Sequence, residues 1–191
     1  MTLTLADRGA DSTDGVLGIV RLSGGRTLTV RTVTQADVEG LDALFEGLCD
    51  EDRYYRFFSI SHPGRRFLEQ MARAEQDGGY RLVAVVSGLQ DRLVAEAGYV
   101  RLPDGNGEFA LTIAAGWRGW LGPYLLDALV AAAAARGVPN LQADILLTNA
   151  RMLALLKQRG YVLLHQQGPE ARVAIDAAQA RPDAHPASER S

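Results

Sequence analysis

The sequence predicts an α/β fold, a mixed sheet with helices on both faces. Three observations lead there. Short runs with strand-like alternation recur along the chain, as in TLTVRTV at residues 27–33. Between them lie segments with apolar residues at helical spacing, such as Val38, Leu41, Leu44, Phe45 and Leu48. The length of 191 residues, 47% of them hydrophobic, suits one domain with a full core and is short for two.

The elements follow in order. Residues 15–22 make a first strand, Gly24-Gly25 a turn and residues 27–33 a second strand. Thr34 and Asp37 form a capping box that opens a helix running to about Cys49. Further helical pieces follow at residues 51–58 and 63–75. Residues 80–86 and 93–102 read as strands joined near Ser87-Gly88, and a turn at residues 103–106 leads into a strand at 108–114. Residues 123–136 are a helix with proline in its first turn and Gly137 as its stop. A strand at 141–147, a helix at 149–159 ended by Gly160, and strands at 161–166 and 172–175 complete the order. Residues 1–14 and 177–191 are polar or rich in alanine and proline, so they are expected to be flexible tails around a single domain at 15–176.

The stretch at residues 107–122, GEFALTIAAGWRGWLG, is the most informative. A strand ends in a Gly/Arg/Trp loop that feeds directly into a helix. That geometry gathers unpaired backbone N–H groups and the positive end of a helix dipole at one point, where phosphate or pyrophosphate binds well. The N–H groups of residues 119–122 and of Tyr124 are the candidate donors. Glu108, on the strand leading in, is a candidate base. A carboxylate partly buried at a strand opening takes a proton from an amine once desolvation raises its pKa. The alternative reading is a solvated edge glutamate beside the turn. Glu96, in the preceding strand, is the rival base.

Composition narrows the class. A net charge of −3 argues against nucleic acid as the main partner. The start lacks a basic region followed by an apolar run, and no apolar stretch reaches the roughly 18–20 residues of a membrane span. The single Cys49 leaves no internal disulfide and no cysteine-based zinc site, and the three histidines have no metal-ligand spacing. A soluble, cytoplasmic protein without a metal is expected, as a monomer or a homodimer.

The element order, the loop after the Glu108 strand, and the helix-then-strand ending around Asn149 and Gly160-Tyr161 resemble the GNAT superfamily of acyl-CoA-dependent N-acetyltransferases, over residues 27–175. The run DEDRYYRFF at residues 50–58 is similar to the corresponding region of bacterial protein-lysine acetyltransferases of the Pat type. The resemblance implies a mostly antiparallel mixed sheet of six or seven strands with a V-shaped opening between two central strands. Acetyl-CoA would be the co-substrate and an amine, of a protein lysine or a small molecule, the acceptor. The pantetheine arm would add along Thr112, Ile113 and Ala114, and the pyrophosphate would sit on Arg118, Gly119, Trp120, Leu121, Gly122 and Tyr124. Asn149 would lie near the pantetheine, and Glu108 matches the glutamate of the lysine-acetylating members in position.

The family's loop pattern, Gln/Arg-x-x-Gly-x-Gly/Ala, is not matched throughout. With Gly122 as the last loop glycine, its spacing to Gly137 fits the family, Arg118 takes the Gln/Arg place, and the loop is one residue short. The missing position is the middle glycine, beside Trp120. The family's general-acid tyrosine falls on Leu156, a departure the Pat-type domains share. Tyr124 and Tyr161 are other possible donors, each expected to pack instead. Cys49 lies in the first helix, away from the cleft, so direct attack in a ternary complex is expected. The competing expectation is a degenerate domain that senses acyl-CoA or binds a protein partner without catalysis.

Overall fold

The computed structural model describes residues 15–161 and 163–180. The expected N-terminal tail at 1–14 and the last part of the C-terminal tail, 181–191, lie outside the described residues. The strands are β1 (Val16–Arg21), β2 (Thr27–Thr32), β3 (Tyr80–Val86), β4 (Arg92–Arg101), β5 (Gly107–Ile113), β6 (Asn140–Leu146), β7 (Leu163–Gln167) and β8 (Glu170–Asp176). The helices are α1 (Val38–Glu46), α2 (Asp50–Phe57), α3 (Arg65–Ala72), α4 (Leu121–Ala135) and α5 (Ala150–Gln158). All eight strands join one sheet in the order β1-β2-β3-β4-β5-β6-β8-β7, so every candidate strand enters it and the count passes the six or seven expected. Every pairing is antiparallel except β5–β6.

Each face of the sheet has its own core. On one face α4 buries Leu125, Leu126, Leu129 and Val130 against Leu82, Ala97, Tyr99 and Leu141. On the other, α1 and α3 bury Leu41, Phe45, Leu68 and Met71 against Val83 and Leu93. A helix that packs on a sheet presents one apolar stripe, and the spacing read in residues 38–48 is that stripe. The capping box forms as expected: the Thr34 N–H donates to Asp37 Oδ2 at 2.7 Å. One 3₁₀ turn, Gln35–Asp37, intervenes before α1 begins at Val38.

Several boundaries differ from the sequence reading. α4 starts at Leu121, two residues before Pro123, because the first N–H groups of a helix have no partner inside it and proline there forfeits nothing. β8 starts at Glu170, where it still pairs with Leu146 and with Gln167. Packing on the core also continues past Asp176. Ala177 is only 2% exposed in the α4-side core, its N–H donates to Pro139 O at 2.9 Å, and Asp176 caps the following 3₁₀ turn. Two glycines are dictated by close approach of backbone. A Cβ at Gly98 would lie 2.7 Å from Tyr80 O, and one at Gly79 would lie 2.5 Å from Tyr99 O. Among the described residues no helix is long and apolar enough to cross a membrane.

Candidate active site

The site begins where the sheet stops being continuous. β5 and β6 pair only at Gly107–Leu141 and Glu108–Gln142, and then diverge. On its other side β5 stays paired to β4 to the end, with Ala95 opposite Ile113 and the Ala114 N–H donating to Val94 O at 2.9 Å. Backbone groups alternate in direction along an antiparallel strand, so the N–H and C=O of Phe109, Leu111 and Ile113 point into the gap. The backbone groups of Thr112 and Ala114 face β4, so of the expected Thr112, Ile113 and Ala114 it is Ile113 that turns its backbone to the gap, while Thr112 lines the cleft. An unpaired strand edge accepts an extended chain of amides as if it were another strand. The gap opens into a cleft of about 1120 Å³.

The two sides of this cleft differ in chemistry. Toward α4 and α5 it is apolar, with Leu111, Ile113, Ala143, Ile145, Met152 and Leu155. Toward α2 it is polar, with Glu108, Thr112, Asp144, Asp52, Tyr55 and Arg56.

At the far end of β5 the chain turns through a 3₁₀ segment, Ala115–Trp117, then an extended Arg118 and a left-handed Gly119 (φ +100°), into α4. Only glycine takes that φ without strain. Trp120 stands at the N-cap position with no side-chain cap. Among the described residues the N–H groups of Gly119, Leu121 and Gly122 meet no acceptor, and Gly119 and Gly122 line the cleft. Tyr124 does not join them: its N–H donates to Trp120 O, and its side chain is 8% exposed in the core, with the hydroxyl packed against Gly18. Leu121 offers only its backbone, because its side chain is fully buried, and Trp120 lies half-buried against the same core.

Arg118 spans this end. Its Nε donates to Ile113 O at 3.2 Å and its Nη2 to Asp52 Oδ2 at 2.5 Å. Asp52, on α2, also receives Arg151 Nη2 of α5 at 3.3 Å. Burial pushes the Asp52 carboxyl up, but the hydrogen bonds from Arg118 and Cys49 and the charge of Arg151 outweigh it and hold it below the usual range. Tyr55 donates its hydroxyl to Thr148 O at 2.9 Å, just ahead of Asn149. Asn149 caps α5, its Oδ1 accepting from the Met152 N–H at 3.1 Å, and it lines the cleft. α2 is therefore a strap across the mouth, tied to the loop before α4 and to the start of α5.

The two candidate bases part company. Glu108 is exposed on the α2 side, at the point where β5 and β6 separate, rather than partly buried as expected. Glu96 is fully buried and accepts hydrogen bonds from Arg56 Nε (3.0 Å), Thr112 Oγ1 (2.8 Å) and Arg81 Nη1. Burial alone would raise its pKa, but the Arg56 and Arg81 charges and the Thr112 bond reverse that and keep it ionised below the ordinary range. With its oxygens taken by three donors it is a structural anion. Leu156 is buried in the core and Tyr161 packs against it.

Asp52, Arg56 and Arg151 carry no individual signal in the sequence. Their partners lie as many as 99 residues away, and no spacing rule reports such pairs.

No protein-family model matches the chain, and no curated protein matches its sequence. Solved structures do. The GNAT domain of S. lividans PAT matches with a TM-score of 0.72 and 24% identity, over 83% of this chain and 95% of that chain. A cAMP-binding acyltransferase from Mycobacterium smegmatis matches with a TM-score of 0.54 and 24% identity over 83% of this chain and 46% of that one, so the chain spans about half its length. The yncA protein of Salmonella typhimurium, solved with its cofactor acetyl-CoA, matches with a TM-score of 0.62 and 18% identity, over 84% of this chain and 98% of that chain. The strand order, the β5–β6 opening and these matches together show that the chain has the GNAT fold.

Proposed function

We propose that the protein is an N-acyltransferase that moves an acetyl group from acetyl-CoA to a primary amine by direct attack. The observation that carries this reading is the opening between β5 and β6, which presents an unpaired strand edge running to free helix N–H groups. The residues suit the co-substrate. The edge groups of Leu111 and Ile113 would hold the pantetheine amides. The N–H groups of Gly119, Leu121 and Gly122, with Arg118 and Arg151, would hold the pyrophosphate. Acetyl-CoA, when bound, supplies an activated thioester carbonyl.

The remaining chemistry belongs to the chain. An alkyl amine has a pKa near 10.4 and arrives mostly protonated at neutral pH. Glu108 stands on the face opposite the apolar wall, where the acceptor enters, and takes the proton that the amine must lose as its nitrogen bonds to the acyl carbon. The apolar wall of Leu111, Ile113 and Met152 excludes water that would otherwise compete as nucleophile. A CoA thiolate has the low basicity of a thiol, roughly pKa 8–9 by analogy with cysteine, and leaves without a dedicated acid. The core position of Leu156 is consistent with that.

A second reading has its own support. The Arg118–Asp52 pair closes the anion cradle and the loop is one residue short, as suits a domain that senses acyl-CoA or binds a partner without turnover. Glu108→Gln separates the two. In an enzyme, acetyl-CoA turnover with amine acceptors falls by roughly 10²–10⁴-fold while the thermal stabilisation by CoA is retained. Unchanged turnover removes Glu108 from the mechanism, and no turnover in the unsubstituted protein favours the sensor.

A further inference from the structure

Arg56 carries more hydrogen-bonding capacity than the fold uses, and the proposed transfer assigns it no part. Its guanidinium carbon lies 4.9 Å from the Phe57 ring centroid and 6.0 Å from that of Phe45. Its Nε donates to Glu96 Oε1 at 3.0 Å and to Thr112 Oγ1 at 3.1 Å. These four contacts fix the plane of the group. Nη1 and Nη2 meet no acceptor among the described residues, and with 11% of its side chain accessible Arg56 opens to the cleft it lines. The charge around it does not balance. Glu96 is shared between Arg56 and Arg81, so two guanidinium groups face one carboxylate. A surplus positive charge with unspent planar donors at the edge of a protein interior matches a carboxylate, taken bidentately.

The other acids on this wall do not supply it. Asp52 is held by Arg118 and Arg151, and Asp144 by Arg172 at 2.6 and 2.8 Å. Among the described residues two acids on the cleft remain: Glu170, opposite Leu146 and with no hydrogen bond to Arg56, and Glu108, four residues from Thr112 on the same face of β5, about 13 Å along the strand. Ala110 stands between Glu108 and Thr112 and leaves the floor open. The wall therefore has a negative end and a positive end. Arg56 is on the acceptor side, opposite the apolar wall that would receive the cofactor.

We infer that the acceptor is a small molecule carrying both an amine and a carboxylate several bonds apart, an ω-amino acid, with its carboxylate on the Arg56 Nη pair and its amine toward Glu108. This rests on the acyltransferase reading. The test uses L-lysine and cadaverine, which is the same diamine skeleton without the carboxylate. Their affinities for the full chain are measured by calorimetry with and without CoA, and acetyl transfer to each is followed in parallel. Lysine is expected to bind roughly 10- to 100-fold more tightly, as for a charged hydrogen bond. Arg56→Lys, which keeps the charge but loses the fork, is expected to shrink that ratio to within about threefold.

Equal affinities, no binding of lysine, or a preference that survives Arg56→Lys would overturn the subsite. If Arg56→Lys instead abolishes a preference for succinyl-CoA over acetyl-CoA, the carboxylate belongs to the acyl chain and the acceptor assignment falls. Should the variant fail to fold, the comparison of lysine with cadaverine on the unsubstituted protein decides alone. Binding preference without transfer sinks the acyltransferase reading and leaves the subsite. Transfer to both amines with equal kcat/KM does the reverse.

Discussion

Glu96 and Glu108 lie on adjacent strands, and their surroundings give them opposite work. Glu96 is buried with Arg56, Arg81 and Thr112 on its oxygens. Glu96→Gln strands two guanidinium groups in the sheet and is expected to cost about 3–5 kcal/mol, read as a shift in the urea midpoint. Glu108 is exposed, so Glu108→Gln should change stability by less than about 0.5 kcal/mol while it lowers turnover. Measured together, the two substitutions separate a structural acid from a working one. The carboxylates at Asp37, Glu96 and Asp144 all titrate below their ordinary values. At Asp37 and Glu96 burial pushes the other way and the arginine partners prevail; at Asp144 the Arg172 hydrogen bond dominates. A depressed folded pKa gives stability that is fully present above the unfolded pKa, about 3.9–4.3, and is lost as pH falls through the folded value. The urea midpoint should therefore hold from neutrality to about pH 5 and fall steeply below about pH 4. Legibility at this scale follows distance. The Thr34–Asp37 box spans three residues and could be read directly, whereas Arg56 and Glu96 are 40 apart.

α2 is the element whose contacts are least visible in its own sequence. As a sequence it is a short polar helix with three acidic residues in its first turn, a pattern common on solvated surfaces. In the fold it straps the cleft, with Asp52 on Arg118 and Arg151 and Tyr55 on Thr148 O. Asp52 holds the two cations that suit a pyrophosphate and so competes with it. Asp52→Asn is expected to tighten CoA binding about tenfold, the equivalent of one charged hydrogen bond released. Weaker binding would instead mean that Asp52 serves to position the arginines. α5 shows the opposite case, since its cap is local and visible in the sequence. Asn149→Ala should cost about 0.5–2 kcal/mol in thermal unfolding through the lost bond to the Met152 N–H. α4 begins two residues before Pro123, a start that proline alone does not mark, because no N–H of the first helical turn has a partner inside the helix.

Over the described residues, an eight-stranded sheet separates two cores and opens between β5 and β6. A ligand seated there touches α2, β5, β6 and the starts of α4 and α5, so its binding should stabilise the molecule as a unit. Acetyl-CoA or CoA at about 100 times its Kd should add roughly 2.7 kcal/mol, or about 5–10 °C in Tm for a chain this size, and ATP should add much less. The sequence by itself determined the α/β class, the order of elements, the apolar faces of α1 and α4, the Gly/Arg/Trp loop and Glu108 on the strand before it. Each of these is written within a few residues, in a periodicity, a cap or a turn that neighbours along the chain enforce. Only the tertiary structure decided that β5 and β6 separate after two pairs and that Glu96 is sealed under two arginines. It also decided that Tyr124 belongs to the core and that Arg56 faces the cleft with donors to spare. Those outcomes depend on which distant side chains meet when the two faces of the sheet are packed. Burial and charge pairing set them, and neither has a period along the chain.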